Sequence, residues 1–136
     1  MIRVQHEDFD IAAESAALQG DGVGAVATFT GIVRGEARLT LEHYPGMTER
    51  EIARHVEAAQ TRWPLLGVTV IHRIGKLAPG ANIVLVAVAS AHREPAFRAC
   101  EFLMDYLKTR APFWKQEGGV WADAKQSDEE AAKRWD

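Results

Sequence analysis

At 136 residues the chain has the length of one ordinary domain, and its 47% hydrophobic content is enough for a real core. Sixteen Lys and Arg against nineteen Asp and Glu leave a formal charge of -3, which excludes a chain-wide basic footprint for nucleic acid and requires any anion site to be a local cluster of cations. The longest apolar run, Ile83 to Ala89, is too short to span a bilayer, Met1 to Glu7 lack the apolar core of a signal peptide, and a single cysteine excludes an internal disulfide.

The expectation is therefore one domain, residues 1–136, in the cytoplasm, with neither a membrane nor nucleic acid as partner. Asp10 is placed to N-cap a short helix, Ile11 to Gln19, ended by Gly20 and the Asp21-Gly22 turn. Val23 to Arg34 reads as a strand whose glycines mark bulges or close backbone approach. Gly22-Val23-Gly24 lacks the third glycine of a dinucleotide-binding turn and precedes a strand, so it is read as a plain turn. Arg38 to Tyr44 alternates, and is expected to pair back on that strand as a hairpin across Gly35-Glu36-Ala37.

After Pro45-Gly46, Thr48 and Glu51 have capping-box spacing. Ile52, Val56, Ala59 and Trp63 form one stripe of an amphipathic helix that Pro64 and Gly67 end. Val68 to Gly75 reads as a strand, Ala78 to Ala81 as a turn, and Asn82 to Ser90 as a strand apolar on both faces and hence central. Pro95 suits the first turn of a helix whose apolar face is Phe97, Cys100, Met104 and Leu107, with Lys108 at the edge of that face and Pro112 as the stop. Trp121 begins a further extended piece, and Ser127 to Glu130 has capping-box spacing for a last helix. Strands and helices mix without regular βαβ alternation, which predicts an α+β fold with a mostly antiparallel sheet and flanking helices.

The histidines and the cysteine show no metal-ligand spacing, so no metal is expected. Cys100 lies on the presumed core face, where a thiol behaves as a small hydrophobe. There is no P-loop and no Gly-x-Ser-x-Gly. What remains is cationic: Arg34 at a strand end, His72-Arg73 inside a strand with one of the two pointing inward, and His92-Arg93 where a strand meets a helix start whose amides favour anions. Met104 to Glu117 adds Lys108 and Lys115 on either side of Pro112-Phe113-Trp114, so one lysine leaves a helix end and the other follows a ring-anchored turn. Each charge alone reads as a solvated surface group. Together they can converge on an anionic, phosphorylated ligand, and the residues by themselves favour a small nucleotide- or phosphate-binding regulatory domain.

Several strings carry a resemblance: Ala27 to Arg34, Leu41 to Met47, Arg62-Trp63-Pro64, Val70 to Gly75, Ser90 to Arg93, Met104 to Lys115 and Ala131 to Trp135. Over about Asp21 to Trp135 the sequence resembles the catalytic (large) subunit family of molybdopterin synthase. The resemblance implies an α/β hammerhead fold and a sulfurtransferase. A small ubiquitin-like subunit with a thiocarboxylate on its C-terminal Gly-Gly tail would deliver sulfur to cyclic pyranopterin monophosphate, forming the dithiolene of molybdopterin. It further implies a central homodimer within a heterotetramer, and no resident cofactor.

By the same resemblance Lys108 and Lys115 are the catalytic lysines. Ile32, Val33 and Arg34 bind substrate, His92 and Arg93 line the pocket across the dimer interface, and Gln116 and Glu117 complete the binding segment. Arginine suits a phosphate ester by bidentate contact and lysine by point charge, and a lysine crowded by cations favours its neutral amine and can exchange protons. Lys115 is accordingly expected to transfer the proton and Lys108 to contact the thiocarboxylate tail. Two departures stand out: the loop Gly35 to Arg38 is short, and Lys125 stands where relatives can carry arginine. A non-catalytic binding module of the same fold is the rival reading.

Overall fold

A computed structural model describes residues 1–117, 120–121 and 126–136. In chain order the elements are β1 (Ile2–Gln5), α1 (Ile11–Ala17), β2 (Ala25–Ile32), β3 (Leu39–His43), α2 (Met47–Arg62), β4 (Gly67–Arg73), β5 (Gly75–Leu77), β6 (Asn82–Ser90), α3 (Arg93–Thr109), β7 (Phe113–Glu117), β8 (Val120–Trp121) and α4 (Gln126–Lys133). They form two four-stranded sheets, β1-β4-β6-β2 and β5-β3-β7-β8, in which the β1–β4 pair is parallel and every other pair antiparallel. The fold is thus α+β with mostly antiparallel sheets and flanking helices, as the mixed pattern predicts.

β6 is central because Val84 to Ser90 are all buried, and a strand without a polar face has to be covered on both sides. One face carries Val84, Val86 and Val88 opposite His72, Val70 and Val68 of β4. Against it pack Ile52, Val56 and Ala59 of α2 and Ala96, Ala99, Leu103 and Leu107 of α3. A fully buried Val or Leu contributes roughly 1.5–3 kcal/mol, so this cluster supplies most of the apolar driving force. α4 is tied to α3 through the chain end: Trp135 Nε1 donates to Asp105 Oδ2 at 2.6 Å, and Arg134 to Glu101 at 2.9 Å. Among the described residues no helix is long and apolar enough to cross a membrane.

Asp10 caps α1 as expected, its Oδ1 accepting from Ala13 N at 3.0 Å, and Gly20 to Val23 close a turn. Gly24 lies so close to the Ala91 carbonyl that a Cβ would sit 2.2 Å from its oxygen. Of His72 and Arg73 it is His72 that points inward, buried to 6% exposure.

Five local expectations are corrected. β3 does not form a hairpin with β2. β2 takes β6 as its neighbour, and β3 lies in the second sheet between β5 and β7. At Val33 the chain instead bonds to the 78–81 turn, its N–H donating to the Ala81 carbonyl while Gly80 N–H donates back, and that diverts it from the first sheet. α2 starts earlier, with Gly46 as N-cap: Gly46 N donates to the Glu49 carboxylate at 3.1 Å, glycine has no side chain to complete a capping box, and Thr48 lies inside the first turn. Val68 to Gly75 is two strands, because Gly75 at φ 90° turns the chain from one sheet into the other. Phe97 is 64% exposed, and alanines 96 and 99 take its place against the sheet, where a close helix approach favours small side chains. α4 begins at Gln126, so Ser127 is within the helix and does not precede it.

Candidate active site

The two lysines arrive from different elements. Lys108 is in the last turn of α3, which stops at Thr109 with Arg110 as C-cap. There Arg110 N and Ala111 N both donate to the Tyr106 carbonyl, at 2.8 and 3.2 Å. Pro112 has no N–H to extend the helix, and Phe113 N closes a tight turn onto the Ala111 carbonyl at 2.8 Å. β7 then runs antiparallel to β3, with Lys115 opposite Leu41 and Phe113 opposite His43. Strand alternation puts Phe113 and Lys115 on one face and Trp114 and Gln116 on the other.

Both lysines line one cavity of about 650 Å³. Its floor is the end of β2, where the ladder passes from Gly31 opposite Val84 to Ile32 opposite Asn82. That skip leaves Ile83 as a bulge facing the cavity, and beyond Ile32 the chain leaves the sheet at Val33 and Arg34. A Cβ on Gly31 would fall 2.9 Å from Val84 Cγ1, so glycine is what allows the two strands to close at this point. The short Gly35 to Ala37 segment forms one wall. Among the described lining residues, Arg34, Lys108 and Lys115 face a single carboxylate, Glu36. A chain of net negative charge has here the local cationic cluster that an anion site requires.

Buried His72 of β4 packs against β7. Its ring stacks on Phe113 with centroids 3.9 Å apart and planes 21° from parallel, and its Nδ1 is 2.8 Å from the Arg73 carbonyl. Burial holds its pKa down at about 4, with Lys108 and His43 adding repulsion against the charged form. The imidazole is therefore neutral at pH 7, and Nδ1 donates to that carbonyl. Cys100 faces the core, its thiol pushed up to about 11 by burial and by Glu101, so it is no thiolate at neutral pH.

Gln116, His92 and Arg93 are not among the described residues that line this cavity. Gln116 is opposite Thr40 and Glu117 opposite Leu39 in the β3–β7 ladder. His92 is the N-cap of α3 and Arg93 its first residue, both exposed. Fifteen residues of helix separate Arg93 from Lys108, about 22 Å along the axis. Lys125 lies outside the described residues. Sequence reasoning missed Phe29, Thr30, Gly31 and Ile83 as lining residues. For Gly31 the signal was present, since a glycine inside a strand marks a bulge or close approach.

The MoaE protein family model matches residues 4–110. The molybdopterin synthase catalytic subunit of Mesorhizobium japonicum is 58% identical, the alignment covering 98% of this chain and 92% of that protein. That alignment runs over 146 positions although the chain has 136 residues, so this relative carries residues that the chain lacks. Among solved structures, molybdopterin cofactor biosynthesis protein E from Burkholderia multivorans superposes with a TM-score of 0.87 at 50% identity, covering 98% of this chain and 94% of that one. Molybdopterin synthase from Staphylococcus aureus does so with a TM-score of 0.79 at 31% identity, covering 88% and 90%.

Proposed function

The chain belongs to the MoaE family, and from that premise we propose that it is the catalytic subunit of a molybdopterin synthase. It takes sulfur from the C-terminal thiocarboxylate of a small ubiquitin-like subunit and passes it to cyclic pyranopterin monophosphate, building the dithiolene in two deliveries. One observation carries the reading: Lys108 from a helix end and Lys115 from a strand meet Arg34 at a single open cavity. The names of its relatives, which are catalytic subunits of that synthase, support it independently.

The residues divide the work by their chemistry. Arg34 offers a planar fork to the substrate phosphate, and the backbone of Ile32 and Val33 borders the same ligand. Lys108, exposed at the end of α3, meets the incoming tail and the negative charge that develops as water displaces sulfur from the acyl carbon and leaves a carboxylate. Lys115, half-buried on β7, exchanges the proton. His92 and Arg93, about 22 Å from Lys108 along α3, cannot reach this cavity in the same chain. They join the site when a second copy supplies them, which is the central dimer of the proposed heterotetramer. Gln116 and Glu117 extend the binding segment along β7.

Reconstitution tests the reading. The chain is mixed with a thiocarboxylated small subunit and cyclic pyranopterin monophosphate, and the product is analysed by mass spectrometry. Dithiolene product is expected. No product from a partner that demonstrably binds overturns the catalytic assignment, and phosphate binding that ignores the partner's tail indicates a regulatory domain instead.

A further inference from the structure

The bend between the two lysines is held from outside by two residues far away in sequence. Lys108 is fixed by the helical hydrogen bonds of α3 and Lys115 by its ladder to Leu41. The path of residues 110–113 joins the two and sets the backbone of one lysine relative to that of the other. Within that path Arg110 and Ala111 donate their N–H groups to the Tyr106 carbonyl and Phe113 to that of Ala111, and the Pro112 carbonyl has a partner from elsewhere in the chain. It accepts from Thr48 Oγ1 at 3.0 Å. Thr48 is wholly buried, at 0% exposure, and the same hydroxyl oxygen accepts from Tyr44 N at 3.0 Å, while Thr48 N donates to the Tyr44 carbonyl at 2.9 Å. One hydroxyl thus joins the end of β3, the first turn of α2 and the bend. On the next residue the His72 ring lies flat against Phe113.

We propose that Thr48 is a positioning residue for the reaction: its hydroxyl, acting with the His72 ring on the adjoining residue, clamps the Ala111-Pro112-Phe113 bend and so sets Lys115 against Lys108. The inference rests on the catalytic reading of the lysines and adds a residue that is not among the described lining residues of the cavity. The chemistry of threonine fits the role. Its hydroxyl can accept one bond and donate another at once, whereas valine has the same shape and can do neither. A shift of about 1 Å at a reacting group is enough to lower a rate by roughly a hundredfold.

Thr48→Val and Thr48→Ser are compared with wild type in the reconstituted heterotetramer, each well below its own melting temperature. Thr48→Val is expected to lower kcat roughly ten- to a hundredfold with KM for the pterin substrate within about twofold, and to speed amide exchange at Phe113. Thr48→Ser, which keeps the hydroxyl, restores kcat to within about threefold of wild type. A purely structural role moves the melting temperature and the folded fraction but leaves kcat per folded site in place, and that result overturns the proposal. So does a Thr48→Ser variant as slow as Thr48→Val. If Thr48→Val does not fold, His72→Leu removes the second jaw, and the same fall in kcat at constant KM is expected; an unchanged kcat there is equally fatal. A wild-type enzyme that makes no dithiolene refutes the reading of the site and not the clamp, so the two failures are distinguishable.

Discussion

The two sheets solve different problems. In β1-β4-β6-β2 the central strand is apolar on both faces, and the described part of the core joins its valines to α2 and α3. In β5-β3-β7-β8 the buried cluster is small, Val33, Leu39, Leu41 and Leu77, with Ala81 and Ile83 beside it. A sheet that has to hold amines at the edge of an open cavity cannot bury both faces, and it therefore forgoes most of the apolar area that would hold it in place. It borrows its rigidity from the first sheet and the helix packed on it instead, through His72 of β4 against Phe113 and through Thr48 of α2 at Pro112. The general lesson is that stability and chemistry sit on separate layers, joined at a few contacts.

The largest effect is expected from cutting the chemistry alone. Lys115→Ala should lower dithiolene formation by about 10²- to 10⁴-fold, the usual reach of a proton-transfer residue, with thermal unfolding little changed. Wild-type product yield from that variant breaks the assignment. Next is the reverse cut. Leu85 on β6 is fully buried, and Leu85→Ala should cost about 2–5 kcal/mol of stability by calorimetry or denaturant titration while kcat per folded site is kept. Leu41→Ala, opposite Lys115 in the small sheet, should cost less stability and more activity. If Leu41→Ala and Leu85→Ala behave alike, the division between the sheets is wrong.

How far the sequence could be read follows the same division. β6 and α2 were legible because a two-sided apolar run and a stripe at helical spacing are local patterns, and burial confirms both. Alternation in β3 correctly announced a strand but not its partner. Pairing was decided by β6, which takes β2 and β4 as neighbours and leaves β3 to β7. Phe97 misled because a phenylalanine outweighs alanines in an apolar pattern, whereas the tight helix–sheet contact selected Ala96 and Ala99. At the site, Pro112 between two lysines already implied two directions of approach, and α3 and β7 supply them. The roles of Thr48 and His72 had no local signal, since their partners, Pro112 and Phe113, lie tens of residues downstream. Thr48 even carried a misleading one, the capping-box spacing to Glu51.

The gentlest test of the joint between the layers is pH. His72 has its folded pKa held near 4 by burial first, and by Lys108 and His43 after that, against an ordinary 6.5 when unfolded. Between those values the unfolded chain binds the proton that the folded chain refuses, so stability rises with pH across the window. The contribution of the neutral ring is complete above about pH 6.5, is lost as pH falls toward 4, and does not fall further below that. By pH 5 the loss relative to pH 7 should be about 2 kcal/mol. Denaturant titrations at pH 7, 6 and 5 measure it, and His72→Phe, which retains a ring to stack on Phe113 but has nothing to protonate, should flatten the slope over that range. The expected signature is specific to the joint: acid should loosen the bend before it melts the first sheet, with amide exchange at Phe113 rising earlier than at Val86 on β6. Equal rises at both positions would mean that the small sheet does not depend on His72 for its footing.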